Sequence, residues 1–403
     1  MKNWKKNLWI LCAGQFLFMA SMSQIIPFLP LYLQELGLTD SAEISKWSGL
    51  IFGSQFLTAL IFSPIWGKIA DRYGRKMMLI RSGIGMAIVT ILMGFATNHI
   101  HLLILRIING TISGFIPAAI ALTATNTPKE RTGYAIGILQ SSAVAGSICG
   151  PLIGGVMADI MGFRAIFMYT GIFVFLATLI VIFFVHEKFE RKENEEKTSL
   201  VQDFKVIIAR KPILSFFFIG TLIQLAMLGT MPLIPLFVQE LTDSSQYLAF
   251  LAGLTGAVMG FTNMLASPQL GKLGDRHGAQ HVLFYSLIAA ALITLPQAFV
   301  LDLWQLIALR FLLGVTLGGM LPSLHTLVRH YAPKGMESRT YSYATSATFL
   351  GNFIGPIAAG QLAAQFGLRS IFISAFILLL LSACWVKYLL NVHFQQQAKE
   401  QIH

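Results

Sequence analysis

The decapeptide PFLPLYLQEL at Pro27–Leu36 returns 205 residues later as PLIPLFVQEL at Pro232–Leu241. Other markers keep the same register. Ser63-Pro64 and Gly67 return as Ser267-Pro268 and Gly271, and LRIINGTISG around Arg106 and Gly110 returns as LRFLLGVTLGG around Arg310 and Gly314, each 204 residues on. Gly150-Pro151 and Gly162-Phe163-Arg164 return as Gly355-Pro356 and Gly367-Leu368-Arg369, 205 residues on. Chance does not hold a register over that distance, so the chain reads as two copies of one unit.

The composition says what each copy is made of. Of 403 residues, 55% are hydrophobic and 12% charged, whereas soluble domains carry roughly 25% charged residues. A bilayer-spanning helix takes about 20 apolar residues. Apolar runs between charged or turn-rich breaks give twelve candidate spans: 7–36, 46–70, 77–97, 101–126, 133–159, 165–186, 211–241, 247–274, 280–300, 304–331, 339–365 and 369–391. The expected fold is an all-α membrane protein with 12 transmembrane helices in two pseudo-symmetric six-helix bundles, 1–186 and 211–391. A linker at 187–210 and a tail at 392–403 complete the chain. Lys2, Lys5 and Lys6 precede an apolar run, Leu8 to Leu36, far longer than the roughly 7–15 residues of a cleaved signal segment, so it reads as a retained first helix.

The net charge of +11 would suggest nucleic acid in a soluble chain, but the basic residues flank the spans. With the N-terminus inside, 24 of the 29 Lys and Arg fall on cytoplasmic segments, three outside (Lys46, Arg164, Arg369) and two within spans (Arg106, Arg310). That asymmetry places both termini in the cytoplasm and sets nucleic acid aside as a partner. The linker mixes both signs in HEKFERKENEEKTS, followed by LVQDFKVIIARK, which suits a short interfacial helix. Cys12, Cys149 and Cys384 lie in apolar stretches without CxxC spacing, which argues against disulfides and zinc; they read as small core hydrophobes. No P-loop, GxSxG, HExxH or GxGxxG stands in a suitable context, so no enzyme, cofactor or metal is expected.

Between spans 2 and 3 stands Gly67-Lys68-Ile69-Ala70-Asp71-Arg72-Tyr73-Gly74-Arg75-Lys76. Gly67 permits close helix approach, Gly74 a tight turn, and Asp71 suits basic groups or a helix N-terminus. The second copy, from Gly271 to Gly278, keeps Asp275 and Arg276 but lacks the trailing basic pair. Span 5 carries Gly146-Ser147-Ile148-Cys149-Gly150-Pro151-Leu152-Ile153-Gly154-Gly155, a GxxxG packing face with a proline that frees a backbone carbonyl. Pro27 with Pro30, and Pro232 with Pro235, are expected to kink spans 1 and 7 at matching places.

These motifs resemble those of the major facilitator superfamily, whose two six-helix halves enclose a substrate site near the midplane. Gly67–Lys76 looks like its G-x-x-x-D-R-x-G-R-K/R signature, and span 5 resembles its antiporter signature, G-x-x-x-G-P-x-x-G-G. Leu103–Gly110 is similar to its L-x-x-R-x-x-Q/N-G motif, linked there to proton coupling. The resemblance covers essentially the whole chain and is closest to multidrug exporters of the drug:proton antiporter (12-spanner) group. It implies alternating access, with the Asp71 region as a conformational clasp.

The chain departs from that group in its acids. All 18 Asp and Glu fall in loops or at helix ends, where many of those exporters bury a carboxylate as proton acceptor. The proton-coupling candidates are therefore Arg106 and His325, the latter an imidazole, a side chain whose ordinary titration lies near neutrality, inside span 10. Each has a plainer reading: Arg106 pairing with backbone carbonyls or snorkelling outward, His325 hydrogen-bonded between helices. Further cavity candidates are Gln24, Asn109, Gln140, Gln224, Tyr343 and Asn352, all equally suited to join helices. The expectation is a monomeric secondary transporter in the bilayer exchanging protons for drugs or small toxic solutes. Two alternatives stay open: a carrier for an endogenous anionic metabolite such as a polycarboxylate siderophore, and a transporter-like receptor that does not transport.

Overall fold

A computed structural model describes residues 3–128, 131–187, 200–209, 211–242, 247–333 and 336–400. The described residues are helical, without strands. In chain order the α-helices are α1 (Asn3–Ile25), α2 (Leu29–Glu35), α3 (Ser41–Tyr73), α4 (Arg75–Gly94), α5 (His99–Ile112), α6 (Phe115–Asn126), α7 (Thr132–Met161) and α8 (Phe163–Phe184). They continue as α9 (Leu200–Ile208), α10 (Lys211–Thr230), α11 (Ile234–Glu240), α12 (Leu248–His277), α13 (Ala279–Thr294), α14 (Leu303–Tyr331), α15 (Glu337–Phe366) and α16 (Ser370–Glu400).

Among the described residues, ten segments are long and apolar enough to cross a bilayer. The other two expected spans lie in α3 and α15, helices of 33 and 30 residues. Length suffices there, since roughly 20 residues cross the hydrocarbon. In α15, hydroxyl and amide side chains such as Thr345, Ser346, Thr348 and Asn352 dilute the apolar character.

The prolines act where the repeat places them. Spans 1 and 7 each break into one 3-10 turn, Ile26–Phe28 and Met231–Leu233, before continuing as α2 and α11. Proline cannot donate to the preceding turn, and its ring excludes the regular helical path there. Two sharp corners also recur: Gly74 and Gly278 at φ 93° and 89°, and Gly162 and Gly367 at φ 80° and 81°. Such positive φ strains any residue with a Cβ.

The chain forms two compact units, Met1–Glu195 with Pro232–Ala257, and Glu196–Met231 with Val258–His403. In the first, α1 packs on α7 and α8, α4 on α8, and α3 on α5. Leu8, Leu11, Phe18, Phe115, Leu139 and Val181 meet in its core, where the Phe18 and Phe115 rings stack with centroids 4.2 Å apart. In the second, α10 packs on α15 and α16, and α13 on α14 and α16, around Ile213, Leu283, Met320, Leu324 and Leu379. Lipid tails are as apolar as leucine, so these helices cohere by close packing rather than by escape from water.

Three features differ from the sequence reading. Span 4 is two helices, because α5 ends at Ile112 and α6 starts at Phe115 after Gly114 at φ 140°. Cys384 is exposed on α16 rather than a core residue. Arg81, counted with the residues flanking the spans, is the seventh residue of α4 and half-buried. Much of the 187–210 linker lies outside the described residues; LVQDFKVII forms α9, and Phe204 on it packs against Tyr343 at 5.3 Å.

Candidate functional site

Arg106 is the eighth residue of α5 and only 6% exposed, which removes the snorkelling reading. Its Nη1 donates to Gln55 Oε1 on α3 at 2.9 Å, whereas Nε and Nη2 have no partner among the described residues. Gly110, one turn on, lets α5 lie against α3: a Cβ there would collide with the Gln55 carbonyl and the Thr58 hydroxyl. That hydroxyl donates to the Ile107 carbonyl at 3.1 Å. Asn109 is buried beside them, at 5% exposure.

The second unit repeats this joint with one exchange. Thr262 Oγ1 donates to the Phe311 carbonyl at 2.9 Å, and Gly314 fits against Met259 and Thr262. Arg310, equally buried, reaches the Met259 sulfur at 3.6 Å where Arg106 reaches an amide oxygen. A thioether is a weak acceptor. The two arginines therefore share a position in the repeat but differ in chemistry, and only Arg106 has a strong side-chain acceptor.

Two residues absent from the sequence reading hold the break in span 4. Trp66 Nε1 donates to the Thr111 carbonyl at 2.7 Å. The Arg81 guanidinium lies 3.3 Å from the centre of the Trp66 ring, and its Nη2 donates to the Ser113 carbonyl at 3.3 Å. Both supply donors to carbonyls that a helix end leaves unpaired. The repeat has Leu270 and Tyr285 at these places, and its helix, α14, runs unbroken through Pro322. Comparison of the two copies position by position was the available signal.

The span 5 motif works on two faces. Gly146, Gly150 and Gly154 lie against α1: a Cβ on Gly146 would stand 2.5 Å from the Phe16 carbonyl oxygen, and one on Gly154 2.6 Å from Gln24 Cβ. Gly155 faces the start of α12, where a Cβ would stand 2.7 Å from Phe250 Cα, and Gly253 of α12 packs on the Pro151 carbonyl. The glycines therefore do more than form the single GxxxG face read from spacing.

Around the clasp, Gly74 makes the corner between α3 and α4, and Glu187 caps the helix that follows. Its carboxylate accepts from the backbone N–H of Arg75 at 3.0 Å and of Lys76 at 2.8 Å, and Lys76 Nζ donates to the Ile182 carbonyl. The environments of Gly67 and of the Asp71 side chain lie outside what the structure describes. Arg72 is exposed over its neighbour Tyr73, and Asp275 and Arg276 of the second copy are exposed.

The remaining candidates divide. Gln24 is 2% exposed and donates to Thr170 Oγ1 of α8, so it joins helices. Gln140 is exposed. In the second unit, the His325 ring stands 5.0 Å from that of Tyr341, with Nδ1 buried and unpaired among the described residues. Asn352 is 7% exposed with its Oδ1 likewise unpaired, and Gln224 is half-buried.

A family model described as Major Facilitator Superfamily matches residues 11–266 and 249–402. The chain belongs to that superfamily. It is a multi-pass membrane transporter. It is 40% identical over 370 residues to "Multidrug resistance protein MdtG" of Proteus mirabilis (strain HI4320), covering 92% of each chain. The protein of that name from Enterobacter lignolyticus (strain SCF1) is 40% identical over 383 residues, 95% of this chain and 92% of its own. Among solved structures, a bacterial homologue of the human lysosomal transporter Spinster, inward-facing and occupied, superposes with a TM-score of 0.80 at 16% identity, covering 96% of this chain and 97% of that one. The nucleoside transporter NupG does so with a TM-score of 0.77 at 13% identity, covering 95% and 98%. At those identities the likeness shows the superfamily fold.

Proposed function

We propose that the chain is a proton-coupled exporter of drugs or small toxic solutes in the bacterial inner membrane, with both termini cytoplasmic and alternating access as its cycle. The observation that carries this reading is the 40% identity, over 92% of each chain, to a protein named for multidrug resistance. Charge asymmetry around the spans supports the orientation. Arg106, as a fixed positive charge, and His325, as an imidazole that can take a proton, are the residues proposed for proton coupling, because every acid lies in a loop or at a helix end. Motion follows from the repeat: hinges at the paired 3-10 breaks of spans 1 and 7 let each half tilt without unfolding.

Arg106 favours a second reading, a carrier for an anionic solute. Its buried Nε and Nη2 lack a partner among the described residues, and a guanidinium fork matches a carboxylate or phosphonate.

Cells overproducing the chain should accumulate less ethidium, an amphipathic cation, or less of a small phosphonate antibiotic than cells without it. Collapsing the proton gradient with a protonophore should restore accumulation. Equal accumulation of both probes with the protein present in the membrane would overturn the export reading; reduced accumulation that survives the protonophore would overturn proton coupling. Selective response to the phosphonate would favour the anionic reading.

A further inference from the structure

We infer that Asp159 is the gating residue of the outer mouth, holding it shut by capping α12 from α7. The inference rests on the alternating-access reading above. Within the first compact unit, the Asp159 carboxylate accepts from the backbone N–H of Ala249 at 3.2 Å and of Phe250 at 3.0 Å. These belong to the first turn of α12, whose donors have no partner within the helix. A serine, threonine or aspartate just ahead of a helix ordinarily supplies that acceptor. Among the described residues, Tyr247 stands ahead of it without such an acceptor, and the carboxylate comes from the end of a helix about ninety residues earlier.

Two observations set this contact apart from routine packing. Tyr247 has φ 62° and is the only non-glycine residue with positive φ among those described, a conformation that persists only where its surroundings hold it. The repeat also lacks the arrangement: α3 is capped by its own Asp40, which accepts from Ala42 and Glu43, and the position matching Asp159 is Ala364. Among the described residues this cap across two elements stands in one copy, and it ties α12 to α7 in a way the fold itself does not demand.

The neighbouring contacts make a seam with that cap at one end. Gly155 packs against the backbone of Ala249 and Phe250, and Gly253 against the Pro151 carbonyl. Gln34 Nε2 donates to Gln239 Oε1 at 2.9 Å, joining repeat-related positions of α2 and α11. Phe28, Ala158, Ile166 and Ala249 close a small apolar cluster beneath. Every partner lies toward the outer ends of spans 1, 5, 6, 7 and 8 in the proposed orientation. For solute to leave outward, α12 must part from α7, and the carboxylate must then release both N–H groups. The span 5 glycines bring the backbones together, and Asp159 sets how long they stay together.

The test uses cysteine accessibility in right-side-out membrane vesicles, in a background with Cys12→Ala, Cys149→Ala and Cys384→Ala. The reporter is Ala249→Cys, at a position 1% exposed in the closed seam; the control is Ala177→Cys in α8, at a position 0% exposed. Adding Asp159→Ala should raise the rate at which an impermeant maleimide labels Ala249→Cys about tenfold, as expected for losing hydrogen bonds to a charged group. The control should stay unlabelled. Asp159→Asn, of the same shape with one carbonyl acceptor, should give a smaller rise and keeps the test readable if the alanine variant does not reach the membrane. Unchanged labelling at Ala249→Cys, or an equal rise at Ala177→Cys, would overturn the inference. Labelling is read without solute, so it stands or falls separately from transport: a labelling response in a protein that moves no solute keeps the gate and removes the export reading.

Discussion

Replacing Arg106 with alanine is expected to abolish solute-driven proton movement while the protein remains folded. The side chain is 6% exposed and donates to Gln55 Oε1 across α3 and α5. A buried cation inside a span is costly and is retained where it does work. Losing a hydrogen bond to a charged group costs roughly 1.5–3 kcal/mol, or about 10 to 150-fold in an equilibrium or rate. The matched change is Arg310→Ala, which removes an arginine of similar burial bonded to the Met259 sulfur. Because a thioether accepts weakly, that variant should stay within about threefold of the parent. Arg106→Lys keeps the charge but loses the planar fork, and should recover no more than roughly a tenth of the activity. Initial rates of dye-reported proton flux in liposomes separate the three.

The second large effect is steric. Gly150→Val would drive a branched side chain into the Ser23 hydroxyl and the Ala20 carbonyl, where α7 and α1 touch. Backbone atoms cannot yield as a flexible side chain does. Overpacking of this kind costs about 1–3 kcal/mol, which should lower the thermal midpoint of a chain of 403 residues by about 1–4 °C. Gly137→Val, on the same helix, is the control, because nothing lies within 4 Å of the space its Cβ would take. The pair separates close approach from the general cost of a β-branched residue in a helix. Equal melting of the two variants would show that the span 5 glycines do not set the α1 contact.

The repeat makes most of the architecture legible in the sequence. PFLPLYLQEL and PLIPLFVQEL mark matching breaks in spans 1 and 7, and Gly74, Gly162, Gly278 and Gly367 mark matching corners, because proline and glycine restrict backbone geometry wherever they stand. Arg106 was legible as a buried cation, since charge inside an apolar run is conspicuous. Its partner was not: Gln55 lies 51 residues away, and nothing in either sequence neighbourhood announces the pairing. Trp66 and Arg81 were missed for a related reason. An arginine near the end of a span resembles a topology anchor until a ring is found 3.3 Å beneath it. Glu187 and Asp159 read in the sequence as loop or helix-end acids, while in the fold each caps a helix distant in sequence. Periodicity reports which face of a helix is apolar; it carries no information on which helix end a carboxylate will meet.

The most direct test of proton-coupled transport is purified protein in liposomes with an imposed pH gradient and an internal pH dye, challenged in turn with ethidium, a small phosphonate and citrate. The account predicts that at least one of these triggers proton flux that is absent from protein-free liposomes. Movement of a radiolabelled probe across the same liposomes with no accompanying proton flux would contradict it.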